Sequence, residues 1–211
     1  MRFVAISPAP RPRGALLRTN LVKMGDRHER HMLMTTLVDR PNSALIVIYL
    51  QNGVVANAFR REMVLEAVKS LVARGRTARV PVMWVRQCDE DLATGSEAWQ
   101  IVSELSPVPA EVVIEKHYRD AFEGTHLEQV LSKLGVGNLI VTGAQTDMCI
   151  RSTLHGALVR GYDAILVTDA HTTDDIRDGA QTPLSRTRIS TGAIKARPVG
   201  WAASSRAKRS I

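Results

Sequence analysis

Cysteine is scarce in this chain of 211 residues, which has only Cys88 and Cys149. They fall in different expected elements, so neither a disulfide framework nor a metal-type cysteine spacing can be built from them, and a reducing compartment is expected. Long apolar runs are missing too. The longest, Ala44 to Leu50, is far short of the roughly 20 residues needed to cross a bilayer. No apolar signal-peptide core is present either, so a soluble cytoplasmic protein with no membrane partner is expected. No internal repeat points to a solenoid, and the length suits one domain with a sizeable core. Acidic residues are absent from positions 184–211, where seven Lys and Arg give a net charge of +7. Residues 1–33 carry +5, so the middle of the chain is at −5 within the overall +7. A basic excess confined to two tails is weak ground for phosphate recognition, and nucleic acid is not an expected partner.

Between Ser43 and Asp169, short apolar runs alternate with helical patterns. That alternation is the signature of a parallel sheet covered by helices on both faces. Strands are expected at Ala44–Leu50, Pro81–Arg86, Val112–Glu115, Asn138–Gly143 and Ala164–Thr168. Helices are expected at Arg61–Arg74, Leu127–Leu134 and Met148–Arg160, with Gly75, Gly135 and Gly161 at the stops. The fold class is α/β, a three-layer sandwich around a mostly parallel sheet of five to six strands. Ligands of such sheets bind beyond the carboxyl ends of the strands, where Tyr49, Gln51, Arg86, Lys116 and the turn before Cys149 all lie. Residues 1–33 and 184–211 show no periodicity and are expected to be largely disordered tails around a domain spanning 34–183.

Cys149 carries the most chemical information. Residues 139–149 read Leu-Ile-Val-Thr-Gly-Ala-Gln-Thr-Asp-Met-Cys, an apolar strand entering a turn and then a helix. A thiol in the first turn of a helix sits near unpaired N–H groups and the positive end of the dipole, which stabilise a thiolate and can hold an oxyanion. Standing alone, such a cysteine is more simply a buried structural residue. Lys116 follows the run Val112-Val-Ile-Glu, and its ammonium could stabilise a thiolate or developing oxyanion. By itself it is more simply a solvated lysine.

The combination is more specific. An apolar first strand ends in Tyr-Leu-Gln-Asn-Gly at 49–53, a later strand ends in Lys116, and Gly-Ala-Gln-Thr-Asp-Met-Cys occupies 143–149. Gly-Tyr-Asp-Ala-Ile-Leu-Val-Thr-Asp-Ala-His-Thr-Thr follows at 161–173. Over about residues 34–182 the chain resembles the isochorismatase-like cysteine hydrolase family. The resemblance implies a parallel six-stranded sheet and hydrolysis of amide, ureido or related C–N bonds, or of the vinyl ether of isochorismate. It implies that Cys149 attacks the carbonyl and Lys116 stabilises charge. Backbone N–H groups near Gln145 and Cys149 would form the oxyanion hole, aimed by a cis peptide between Ala144 and Gln145. A small-molecule substrate and further copies of the same chain are the expected partners.

Tyr49 stands where the family has a catalytic Asp. A carboxylate accepts a thiol proton at neutral pH, whereas a phenol with a pKa of about 10 is already protonated and does so poorly. Turnover is therefore expected to be impaired unless Tyr49 ionises or another base substitutes. The alternative is a catalytically silent binding or oligomerisation module of the same fold. The acid-and-histidine cluster of the metal-binding nicotinamidase branch is missing, and His117, His126, His155 and His171 read as surface, helix or loop residues, so no metal is expected. Gly135-Val-Gly137 lacks the third glycine of a dinucleotide loop, and no cofactor is expected. Trp84, Gln87 and Trp99 could line an apolar pocket, with Gln51 and Arg151 near it, although a Trp on a strand is usually core.

Relatives of the resembling subgroup continue past Asp-Ala-His-Thr-Thr into Ile-Ala-His-Thr-Asn-Leu-Tyr-Trp. Residues 185–192 read Ser-Arg-Thr-Arg-Ile-Ser-Thr-Gly, and codons for them exist that give that other sequence when read one base earlier. The expectation is a frameshift near Pro183, which would account for the acid-free tail. The plainer alternative is natural divergence.

Overall fold

The computed structural model describes residues 2–4 and 35–174. Six strands form one sheet in the order β1-β6-β5-β2-β3-β4, with every neighbouring pair parallel. The strands are β1 (Arg2–Val4), β2 (Asn42–Ile48), β3 (Val82–Gln87), β4 (Val112–Lys116), β5 (Val136–Ala144) and β6 (Asp163–Thr172). The helices are α1 (Asn52–Val55), α2 (Arg61–Thr77), α3 (Leu127–Lys133) and α4 (Arg151–Val159), the last preceded by a π-helical turn at Thr146–Ile150.

Side chains of a strand alternate between faces, and β2 shows why its sequence is apolar throughout. Ala44, Ile46 and Ile48 enter a core with Met83, Val85, Ile114, Leu131, Leu139 and Leu154. Leu45 and Val47 enter the opposite core with Val64, Leu65, Val68, Leu71 and Trp84. Helix α2 therefore covers one face, while α3 and α4 cover the other. The long connection from β3 to β4 folds back onto the α2 side, where Leu92, Trp99, Val102 and Leu105 are buried.

The expected elements are present with shifted ends. Helix α2 runs past Gly75 to Thr77, since Gly75 sits buried inside the helix at ordinary packing distance from Val82 and Leu45 and a glycine stops a helix only where φ turns positive. Gly135 (φ 61°) and Gly161 (φ 87°) do take that conformation after α3 and α4. Strand β6 extends to Thr172 by pairing Gly143 with His171 and Ala144 with Thr172 after a register shift. Arg2–Val4, expected from the sequence to lie in an unstructured extension, pair with Ile165–Val167 as an edge strand. The remainder of both tails, with the expected frameshift, lies outside the described residues.

Candidate active site

Register and alternation build the site. In the β3–β4 pair Gln87 lies opposite Lys116, each two residues beyond a member of the α3/α4-side core, Val85 and Ile114. Both side chains therefore leave the sheet on the face that carries α4. In the β2–β5 pair Ile48 lies opposite Gly143. This brings Tyr49, the next residue of the first chain segment, beside Ala144. Gly143 has φ 118°, and a Cβ there would stand 1.9 Å from the Ile48 carbonyl oxygen. The strands can approach this closely only because position 143 has no side chain.

The Ala144–Gln145 peptide is cis, and the π-helical turn begins at once. The N–H groups of Met148 and Ile150 both donate to the Gln145 carbonyl, at 3.1 Å each. Three side chains tie this turn to the end of β6. Gln145 Nε2 donates to Asp174 Oδ2 at 2.6 Å. Thr146 Oγ1 donates to the Thr172 carbonyl at 3.0 Å and lies 2.8 Å from His171 Nδ1, while Thr173 Oγ1 donates to Asp147 Oδ1 at 2.5 Å.

Cys149, only 5% exposed, stands on this turn with its sulfur 3.3 Å from Lys116 Nζ. Lys116 is fully buried, and its ammonium also donates to Gln87 Oε1 at 2.5 Å and to the Tyr118 carbonyl at 2.9 Å. Burial pushes the Lys116 pKa below the usual lysine value, against the attraction of Cys149, Asp89 and Asp120. Tyr49 is half-buried with a left-handed backbone, φ 63°, and its ring centroid lies 4.9 Å from Lys116 Nζ. Burial, and then the negative charge of Cys149, Asp89 and Asp174, drives the Tyr49 phenol well above the usual value of 10. Ionisation of Tyr49 at neutral pH is thereby closed off as a source of a base.

A cavity of about 430 Å³ opens above these residues, lined by Tyr49, Gly53, Asn57, Asp89, Asp91, Gln145 and Asp174 among others. Tyr49 is among its lining residues and Cys149 is not. Asp89 and Asp91 follow β3 and are absent from the sequence-based expectations. Nothing in their local pattern distinguishes them from solvated loop acids.

Several expected pocket residues belong elsewhere. Gln51 is fully buried as a cross-link, with Nε2 donating to the carbonyls of Gln87 and Trp99 and Oε1 accepting from the Gln87 N–H. Trp84 lies on the α2 side of β3, in the opposite core from Gln87, and its Nε1 donates to Glu111. Trp99 packs in the same core beneath the Arg86 guanidinium, 3.5 Å from its ring centroid. Arg86 in turn pairs with Glu115, and Arg151 is exposed. None of Gln51, Trp84 and Trp99 lines the cavity. The period-two alternation of Met83, Val85 and Gln87 against Val82, Trp84 and Arg86 is the available signal that Gln87, not Trp84, faces the site. His117, His126 and His155 are exposed, and no group of three His, Cys, Asp or Glu among the described residues is placed to hold a metal ion.

A family model described as an isochorismatase domain matches residues 43–194. The chain is 32% identical over 148 residues to a streptothricin hydrolase of Streptomyces noursei, covering 67% of this chain and 59% of that protein. It is 26% identical over 187 positions to a ureidoacrylate amidohydrolase of Enterobacter sp. strain 638, covering 65% of this chain and 81% of the relative. Among solved structures, an isochorismatase family protein matches with a TM-score of 0.65 and 27% identity, over 74% of this chain and 98% of the other. The N-carbamoylsarcosine amidase of Thermoplasma acidophilum shares the fold with a TM-score of 0.58 at 23% identity, over 71% and 91% of the two chains. Against two streptothricin hydrolases of Streptomyces noursei the chain spans 59% and 50% of their length.

Proposed function

From the premise that this chain belongs to the isochorismatase family, we propose that it is a cysteine hydrolase of a small amide or ureido substrate, with Cys149 as nucleophile. The observation that carries this reading is the 3.3 Å approach of Lys116 Nζ to Cys149 Sγ, at the carboxyl ends of parallel strands and beside Tyr49, which lines a cavity of about 430 Å³. The relative named as a ureidoacrylate amidohydrolase supports the bond class, and the one named as a streptothricin hydrolase supports hydrolysis. In this mechanism the thiolate attacks the substrate carbonyl carbon, and the C–N bond breaks as the amine leaves. Water then cleaves the thioester. Charge on the carbonyl oxygen is held by backbone N–H groups of Gln145 and Cys149.

Turnover is impaired in this reading because the residue at position 49 is a phenol. Replacing Tyr49 by Asp supplies a carboxylate and removes the ring. The expected outcome is a gain of about 10²-fold or more in hydrolysis, the scale of a positioned general base. Amides, ureides and isochorismate would be screened with both versions, and Cys149→Ser should abolish the gain. No hydrolysis by either version contradicts the reading and leaves the silent module of the same fold.

A further inference from the structure

The three non-carbon directions around Lys116 Nζ are all occupied: by Gln87 Oε1 at 2.5 Å, the Tyr118 carbonyl at 2.9 Å and Cys149 Sγ at 3.3 Å. The first two partners are oxygens that can only accept. Gln87 is fixed in that orientation because its Nε2 donates to the His117 carbonyl at 3.2 Å. Two of the amine directions must therefore carry N–H whether the lysine is charged or neutral. Only the third can change, and it points at sulfur. There the pair holds either N–H toward a thiolate or a nitrogen lone pair toward S–H.

We propose that Lys116 is the proton acceptor for Cys149, standing in for the carboxylate that position 49 lacks, and that Gln87 is the residue that positions it. The proposal rests on the hydrolase reading only for the steps after proton transfer. The proton passes from Sγ to Nζ, leaving a thiolate and an ammonium. After the thiolate attacks the carbonyl carbon and the C–N bond breaks, the ammonium returns that proton to the departing amine. The neutral Lys116 then takes a proton from the water that attacks the thioester, and the acid and free thiol are regenerated.

The burial of Lys116 supports this role, because a desolvated ammonium gives up its proton more readily than a hydrated one. The other titratable groups acting on Lys116 are Asp89 and Asp120, with Tyr49 against it through its ring. Tyr49 remains a phenol, and neither Asp89 nor Asp120 is hydrogen-bonded to the Lys116 Nζ. Gln87 is itself anchored through its backbone N–H, which donates to Gln51 Oε1 at 2.6 Å. The amide chain Gln51, Gln87, Lys116 thus reaches from the α2-side core to the sulfur.

The test is the thiolate absorbance near 240 nm of the full chain, measured as a difference from Cys149→Ser between about pH 5 and 9, which needs neither substrate nor reagent access. The parent should show thiolate at neutral pH. Lys116→Met, close to the lysine in volume, should lose about tenfold or more of it, the scale of one charge-assisted hydrogen bond. Gln87→Leu should shift the whole titration to higher pH, and Gln87→Asn, which keeps an amide but shortens it, covers the case in which Gln87→Leu does not fold. Equal thiolate in parent and Lys116→Met overturns the acceptor role, and an unmoved titration in the Gln87 variants overturns the positioning role. A titration that behaves as expected in a chain that hydrolyses nothing leaves this pair intact and removes only the hydrolase reading.

Discussion

A phenol at position 49 changes which group can move a proton. Burial and nearby negative charge raise the Tyr49 pKa above its usual value, and in the proposed mechanism the proton chemistry falls instead to the Lys116–Cys149 pair. A second titratable residue gives a prediction about stability. Burial lowers the pKa of His171 below its usual 6.5, against the attraction of Asp169. The unfolded chain therefore binds a proton that the native state resists, and stability should fall as pH drops below about 6.5, in the direction set by proton linkage. Denaturant midpoints at neutral pH and at about pH 5 check this. His171→Asn should show a shallower loss than the parent, and an equal loss in both assigns the acid sensitivity to other groups. Cys149 and Lys116 stand out in the sequence only in combination, through the motifs that carry the family resemblance, and the fold brings the two side chains to 3.3 Å. Gln87 reads from sequence as a wall of an apolar pocket, since nothing in a single sequence reveals the register that sets it opposite Lys116.

At the scale of elements, the turn carrying Cys149 depends on how closely β5 approaches β2. Gly143→Ala would force a Cβ to within 1.9 Å of the Ile48 carbonyl oxygen, at φ 118°. Both the clash and the backbone penalty act together, so a loss of about 3 kcal/mol or more in unfolding free energy is expected. Chemical denaturation checks it, and a change below about 1 kcal/mol would mean that the strands separate easily there. Strands and helices are readable from periodicity because each apolar stripe has one face to bury. Their ends are not. Helix α2 continues through Gly75, and the π-helical turn replaces the first turn of an expected helix, because both outcomes depend on contacts made far away in sequence. Trp84 reads as a pocket residue only while the strand's facing is ignored, and strict alternation along β3 places it in the core with α2.

For the whole molecule, the sheet is shared by two cores, one on each face, and Tyr49 just past β2 packs against both. Leu154 on α4 belongs to one, and Trp84 and Trp99 belong to the other. If the described domain unfolds as one unit, Leu154→Ala should lower stability by about 2–5 kcal/mol. It should also shift the tryptophan fluorescence transition by the same amount as the far-UV signal. Transitions that separate would show that the two faces melt independently. The legible part at this scale is the layered α/β architecture, since strands such as β2 that are apolar on both faces require cover on both. The edge strand Arg2–Val4 is not legible, because three residues carry no periodicity.

The most direct test of the account is where an activated acyl group goes. The full chain would be incubated with p-nitrophenyl acetate at neutral pH, quenched, digested and mapped by mass spectrometry. An acetyl adduct on Cys149 is expected, accompanied by release of p-nitrophenol and lost in Lys116→Met. Acetylation confined to Cys88 and surface lysines, with Cys149 unmodified, would contradict it.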